Sequence, residues 1–426
     1  MTEATIYAAS WLINPDAEPL PGGALLVRDG IIAAVGTVSE LRSTWSAPVV
    51  EYPGCALLPG FVNAHTHLEL THYPAWRLHS GIDYHPHRFT DWIIQLIKIK
   101  RGLTADASPA SLLEGGRMCL ESGTTAIGEI VSNPALMPLY RTLPLAGRLY
   151  FELLGQDDGV FGGKRAAALE AVESLPAGPL QAGLSPHAPY TIAEKHLRTI
   201  AADADARTLP LSLHLSESPD ESAFVFDSSG PLAEEFYPYV GWEKFLSAPR
   251  RCSSTELFDR HGLLSRRTLA VHCVHLTLAD ARIIKERRAS IAICPRSNER
   301  LDVGRAPVAL FKKLGIPLAI GTDSLASNDS LSLWDELRYA LDAFPAVLSP
   351  AELLQMATTG GAAAIGRAED LGSLEVGKRA DFQVIEPGGA SCTGKGGLIE
   401  RIIQSGRIQD VYVGGFRFTI NGEDAG

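Results

Sequence analysis

The segment Pro59-Gly60-Phe61-Val62-Asn63-Ala64-His65-Thr66-His67 closes an apolar run with two histidines at i and i+2. On an extended chain these side chains leave the same face. At a strand end, two such imidazoles can converge on one metal ion. Alone, the pair is more readily read as two polar loop histidines, because so short a motif often arises by chance. Further candidate ligands at later strand ends give it weight. His214 ends the apolar run Leu211-Ser-Leu-His-Leu, and Glu217 stands three residues later. A carboxylate just past a strand end can sit near a metal without binding it and shuttle protons. The bland alternative is a solvated glutamate in the acidic stretch 217–221. His272 ends Thr268-Leu-Ala-Val-His, with His275 three residues on. His272 is nearer the strand and is the better candidate for the site; His275 reads as a satisfied neighbour. Asp323, in Ile320-Gly-Thr-Asp-Ser, suits metal ligation or a helix N-cap. His187 follows Gly183-Leu-Ser-Pro, and Arg296 and Asn298 lie in Cys294-Pro-Arg-Ser-Asn. Prolines restrict the backbone around both. His72, His79, His85 and His87 crowd one long connection and read as solvent-facing or lid residues. His196 and His261 fall on helical or surface stretches and carry no signal.

Elements that would position these groups recur along the chain. Strands are expected at residues 60–64, 124–130, 149–154, 181–185, 211–215, 268–272, 290–294 and 317–321. Several are continuous apolar runs, as parallel strands buried on both faces require. Amphipathic stretches at 112–122, 193–204, 279–287 and 308–314 lie between them. The fold class is therefore α/β, a (β/α)8 TIM-like barrel over residues 57–368. Polar candidates follow strands 1, 4, 5, 6, 7 and 8, at the C-terminal ends where barrel active sites form. The chain ends differ. Residues 24–35 read as a hairpin turning at Asp29-Gly30, and residues 374–385 and 408–420 are strand-like with glycine turns. Neither end has enough strands to stand alone. Residues 1–56 and 369–426 are expected to build one small β-sandwich domain together.

Composition bounds the partners. Hydrophobic residues make up 46% of the 426 and charged residues 20%, enough to bury a large core. The formal net charge of −11 argues against nucleic acid, which binds clustered cations, and offers no basic face to an anionic membrane. The N-terminus lacks a basic segment leading into an apolar one, so no secretory signal is expected. No apolar stretch approaches a membrane span. The six cysteines form no CxxC pair and read as reduced, buried thiols. A cytoplasmic protein acting on a small molecule is expected.

Taken together, Pro59–His67, His214-Leu-Ser-Glu217, Val271-His-Cys-Val-His-Leu276, Gly321-Thr-Asp-Ser-Leu-Ala-Ser-Asn328 and Gly372-Ser-Leu-Glu-Val-Gly-Lys-Arg-Ala-Asp381 resemble the amidohydrolase superfamily, in its mononuclear deaminase and chlorohydrolase branch. The resemblance spans nearly the whole chain, in order. It implies one divalent metal, zinc or alternatively iron, held by His65, His67, His214 and Asp323. Glu217, His272 and Asp323 would be catalytic, and His187 would contact substrate. Binuclear relatives place a lysine after the fourth strand; His187 stands there instead, which favours one metal. Homodimers are common among such relatives, but no exposed stripe in this sequence demonstrates one.

The sequence Leu68-Glu69-Leu70, the segment Phe89-Thr-Asp-Trp-Ile and Cys294-Pro-Arg-Ser-Asn298 look most like aminofutalosine deaminases of menaquinone biosynthesis. That resemblance implies hydrolysis of the 6-amino group of an adenine-type nucleoside carrying a carboxylate. Glu69, Arg88, Arg296 and Asn298 are the further substrate-contact candidates, either arginine being able to pair with the carboxylate. S-adenosylhomocysteine, methylthioadenosine or adenosine are the alternative substrates, with guanine deaminase or triazine chlorohydrolase chemistry behind them. A non-enzymatic barrel is disfavoured by so many polar groups at one mouth. The connection 218–265 carries Phe224, Phe226, Phe236, Tyr237, Tyr239, Trp242 and Phe245, which could stack on a purine or pack on outer helices.

Overall fold

The structure is a computed structural model, and it describes residues 4–81, 88–389 and 395–418. His85 and His87, Cys392 and the end of the last expected strand lie outside these. Two sheets divide the chain. The first is an eight-stranded parallel array in strict chain order. Its strands are Phe61–Thr66, Thr124–Val131, Ala146–Leu153, Leu180–Pro186, Leu211–Leu215, Thr268–His272, Ser290–Ile293 and Leu318–Ile320. Helices alternate with them, among them Ala107–Glu121, Glu194–Ala206, Leu278–Arg287 and Val308–Leu314. This is the expected (β/α)8 barrel.

The eighth strand returns to the first through side chains as much as backbone. The Asn63 amide donates to Thr322 Oγ1 at 2.7 Å, and the Thr322 N–H donates to Asn63 Oδ1 at 3.1 Å. The Asp323 N–H reaches His65 O at 3.1 Å. This stitch sets the first strand's histidines beside the last strand's aspartate. Small residues make it possible: a Cβ on Gly321 would sit 2.9 Å from His65 Cβ, and one on Gly128 would sit 2.3 Å from Ala64 O. Val62, Ala64, Ala126, Ala146, Ala292 and Ala319 fill the barrel interior, with Ala362 and Ile365 from a later helix packed against them.

The second sheet joins both chain ends. The strand Val49–Pro59 pairs in parallel with Thr5–Leu12 and antiparallel with Phe382–Glu386. Gly23–Arg28 and Ile31–Thr37 extend one side, and Arg407–Val413 and Phe416–Phe418 the other. The first pair turns at Asp29 and Gly30, both with positive φ, as a two-residue primed turn requires. The strand Val49–Pro59 runs almost directly into the first barrel strand, so this sheet anchors the segment that leads to His65.

The 218–265 connection is not an extended loop. It contains the helices Pro219–Asp227 and Ser254–Arg260, with short helical turns between Leu232 and Phe245. No helix among the described residues is long and apolar enough to cross a membrane.

Candidate active site

At the C-terminal mouth of the barrel, His65, His67, His214, His272 and Asp323 converge. Ligand atoms of His65, His214 and His272 lie within 4.8 Å of one another, as do those of His65, His67 and Asp323. His65 Nε2 and His67 Nε2 are 3.2 Å apart, and each is under 4 Å from Asp323 Oδ1. Burial pushes all of these imidazoles down: His65 well below the usual range, His67 to about 3, and His214 and His272 to about 4. They are neutral at pH 7 and offer lone pairs. Burial opposes ionisation of Asp323, but His67, His272 and two serine hydroxyls outweigh it and hold the carboxyl below its ordinary range.

The surrounding groups aim these donors. The His214 Nδ1–H donates to His187 O at 2.9 Å, which turns Nε2 inward. His272 Nδ1 is tied to Asn298 Oδ1 at 2.9 Å. Ser297 and Ser327 both donate to Asp323 Oδ2 at 2.7 Å, leaving Oδ1 to face the imidazoles. Glu129, on the second strand, grips the residues on either side of His67: it accepts from the Thr66 hydroxyl and, at 2.9 Å, from the Leu68 N–H. The Tyr140 hydroxyl adds a third bond at 2.6 Å. Ser216, His272 and Asp323 all have φ between 50° and 68°, a strained choice for such residues that clusters at functional sites. His65 Nδ1 and His272 Nε2 are buried without a hydrogen-bond partner among the described residues. Three or four inward-facing neutral imidazoles beside an ionised carboxylate fit a divalent ion such as zinc or iron(II).

Glu217 stands over this cluster, its Oε1 3.5 Å from His272 Nε2. Its backbone is fixed from below, since Glu221 accepts from the N–H groups of Ser216 and Glu217 at 2.8 and 3.1 Å. Burial, then the charges of Asp323 and Glu221, raise the Glu217 carboxyl well above the usual range. This carboxyl faces a cavity of about 380 Å³. Phe89, Trp92, Tyr190, Phe236 and Trp242 supply flat apolar walls to that cavity, two of them from the 218–265 connection. Of the other aromatics there, Phe224 and Tyr237 pack in the core and Tyr239 lies under Arg101.

Of the remaining sequence candidates, His187 and Glu69 line the cavity. His187 Nδ1 is 3.0 Å from Thr191 Oγ1. Glu69 accepts from Ser132 N, Ser132 Oγ and Asn133 N. Three candidates are placed elsewhere. Asn298 sits behind His272, because the helix Pro295–Arg300 starts directly after the seventh strand and turns it inward. Arg296 is drawn to Asp329. Arg88 pairs with Asp91 and Glu235, nearly half exposed. The cations on the cavity wall are Lys100 and Arg101, at the far end of the helix Phe89–Lys100. His275 donates to Val303 O at 2.7 Å and is structural. Sequence reasoning also missed Glu129 and Glu152. Each was legible as a lone carboxylate inside an apolar strand.

Residues 56–417 match the Amidohydrolase family. The chain belongs to that family. This amidohydrolase is 30% identical over 356 residues to the aminodeoxyfutalosine deaminase of Deinococcus radiodurans, covering 81% of this chain and 82% of that one. It is also 30% identical over 374 residues to a 5-methylthioadenosine/S-adenosylhomocysteine deaminase of Desulforudis audaxviator, covering 84% and 80%. The structure of Helicobacter pylori aminofutalosine deaminase in complex with methylthio-coformycin superposes with a TM-score of 0.85 at 25% identity, covering 97% of this chain and all of that one. The amidohydrolase is thus a hydrolytic enzyme, and its metal-dependent family accounts for the donor cluster.

Proposed function

We propose that this amidohydrolase deaminates the 6-position of an adenine nucleoside, with 6-amino-6-deoxyfutalosine as the preferred substrate. The observation that carries the reading is Glu217: a buried carboxyl, raised by that burial above its usual range, beside His272 and facing an aromatic cavity. A bound divalent ion, held by His65, His67, His214 and Asp323, would supply an activated water near neutral pH. Zinc suits three imidazoles and a carboxylate. Asp323, a carboxyl held below its ordinary range, would accept the water's proton. Glu217 donates its proton to a ring nitrogen, which makes the adjacent amino-bearing carbon electrophilic. His272 steadies the oxygen that adds to that carbon, and ammonia leaves after a second proton transfer. The aromatic walls hold the purine plane and keep water from competing.

Lys100 and Arg101 favour a substrate with an anionic tail over a neutral one. They take the place that the sequence assigned to Arg88 and Arg296. The relatives support both an aminofutalosine and a methylthioadenosine or S-adenosylhomocysteine substrate, so the second class is the runner-up. The test is ammonia release by the zinc- or iron-loaded enzyme from aminofutalosine, S-adenosylhomocysteine, methylthioadenosine, adenosine and guanine. The highest kcat/KM is expected on aminofutalosine, with Lys100→Met lowering it about tenfold or more there and leaving methylthioadenosine little changed. Turnover of guanine alone would overturn the reading.

A further inference from the structure

Glu152 has no role in the chemistry above. It is the penultimate residue of the third barrel strand and lines the active cavity. Its side chain is only 9% exposed. The other cavity carboxylates are engaged: Glu69 accepts three hydrogen bonds, Asp323 accepts two on one oxygen, and Glu217 lies beside His272. Glu152 accepts none among the described residues. Among the described residues its one ion-pair-range contact is His187 Nε2 at 3.8 Å, beyond hydrogen-bond reach. His187 already has Thr191 on its other nitrogen. A cavity-facing carboxylate that accepts nothing from the protein leaves its lone pairs to whatever occupies the cavity. The donors must come from the cavity.

Resting on the deaminase reading, we infer that Glu152 binds the vicinal hydroxyls of the substrate's sugar. A carboxylate presents two oxygens side by side, and a cis-diol presents two hydroxyl donors at matching spacing. A cationic ligand group fits less well, because Lys100 and Arg101 line the same cavity and would repel it. The placement also suits a nucleoside. Glu217 and His272, which would act on the base, stand at the C-terminal ends of strands five and six, while Glu152 and His187 stand at those of strands three and four. The base and the sugar then occupy adjacent sectors of one mouth.

The test compares adenosine with 2′,3′-dideoxyadenosine in the metal-loaded wild type, Glu152→Gln and Glu152→Ala. The wild type is expected to favour adenosine by about 10- to 100-fold in kcat/KM, the size of one or two hydrogen bonds to a charged acceptor. Glu152→Ala should erase most of that preference by raising KM for adenosine, while the dideoxy substrate changes little. Glu152→Gln, isosteric and still able to accept one bond, should fall between. Metal content and melting temperature of the variants confirm that the site is intact. An equal loss on both substrates would make Glu152 a support for His187 and overturn the inference. So would a wild type that turns over both substrates equally well. If the wild type deaminates no adenine nucleoside, the deaminase reading itself falls and takes the sugar contact with it.

Discussion

Glu129 offers a test of how the barrel holds its histidine pair. The carboxyl is fully buried in the second strand, and burial pushes it up to about 8 against the pull of its three hydrogen bonds. In the unfolded chain it titrates near the ordinary value of 4.5. A group whose pKa is raised by folding contributes stability that is complete below the unfolded value and is lost as pH rises through the folded one. Wild-type stability should therefore decline between pH 4.5 and 8 by up to about 1.4 kcal/mol per pH unit from this group, with a ceiling of about 5 kcal/mol. Glu129→Gln removes the ionisation while keeping the clamp. Its amide oxygen can accept from Leu68 N–H and Tyr140, and its NH2 group can donate to Thr66 Oγ1. The measurement is urea denaturation of the metal-free protein and the variant from about pH 5 to about pH 8.5, a window that spans the titration. The other titrating groups are common to both, so the difference isolates residue 129. The variant should match the wild type at the acid end and exceed it increasingly toward the alkaline end. A difference that stays flat, or that favours the wild type as pH rises, would show that the three donors hold the carboxylate ionised and that the reasoning from burial is wrong.

Glu217→Gln should retain its metal by elemental analysis and lose about 10²- to 10⁴-fold in kcat, as removal of a general acid does; normal turnover would remove Glu217 from the mechanism. Gly147→Ala should destabilise the barrel by several kcal/mol or prevent folding, read by thermal melting, because Gly147 has φ +125° and a Cβ there would lie 2.0 Å from Ile127 O. Arg296→Gln should leave KM for a carboxylate-bearing substrate within about twofold, as expected of a group outside the cavity. A rise of about tenfold would put Arg296 back at the substrate.

The barrel was legible because its strands are buried on both faces and so read as apolar runs, with helical periodicity between them. The expected 211–215 and 268–272 match the strands residue for residue, whereas the third strand begins three residues early, at Ala146. Its first residues include Gly147 and Arg148, which break the apolar pattern. Arg148 is nonetheless buried, donating to Ile365 O and Ala182 O. The sheet of the chain ends was legible through its turn at Asp29-Gly30. The pairing of residues 49–59 with 382–386 is a contact across more than 300 positions, and no local pattern announces its register.

The site was legible where function is written at strand ends and illegible where it depends on which way a following element turns. His65, His67, His214, His272 and Asp323 occupy positions that the barrel itself directs inward, so placing the strands places them. Arg88, Arg296 and Asn298 sit in the first turns of helices, where a rotation of about 100° per residue decides between cavity, core and solvent. Arg88 opens its helix and is spent on Asp91 and Glu235, while Lys100, three turns later, reaches the cavity. The positive charge on the cavity wall thus lies at the other end of the helix that Arg88 opens. The same logic explains Glu152. An acid inside an apolar strand is conspicuous, but whether it faces helix or mouth depends on strand parity and barrel tilt. Once that direction is known, the informative fact is that Glu152 accepts no hydrogen bond among the described residues, so its lone pairs are open to a ligand in the cavity.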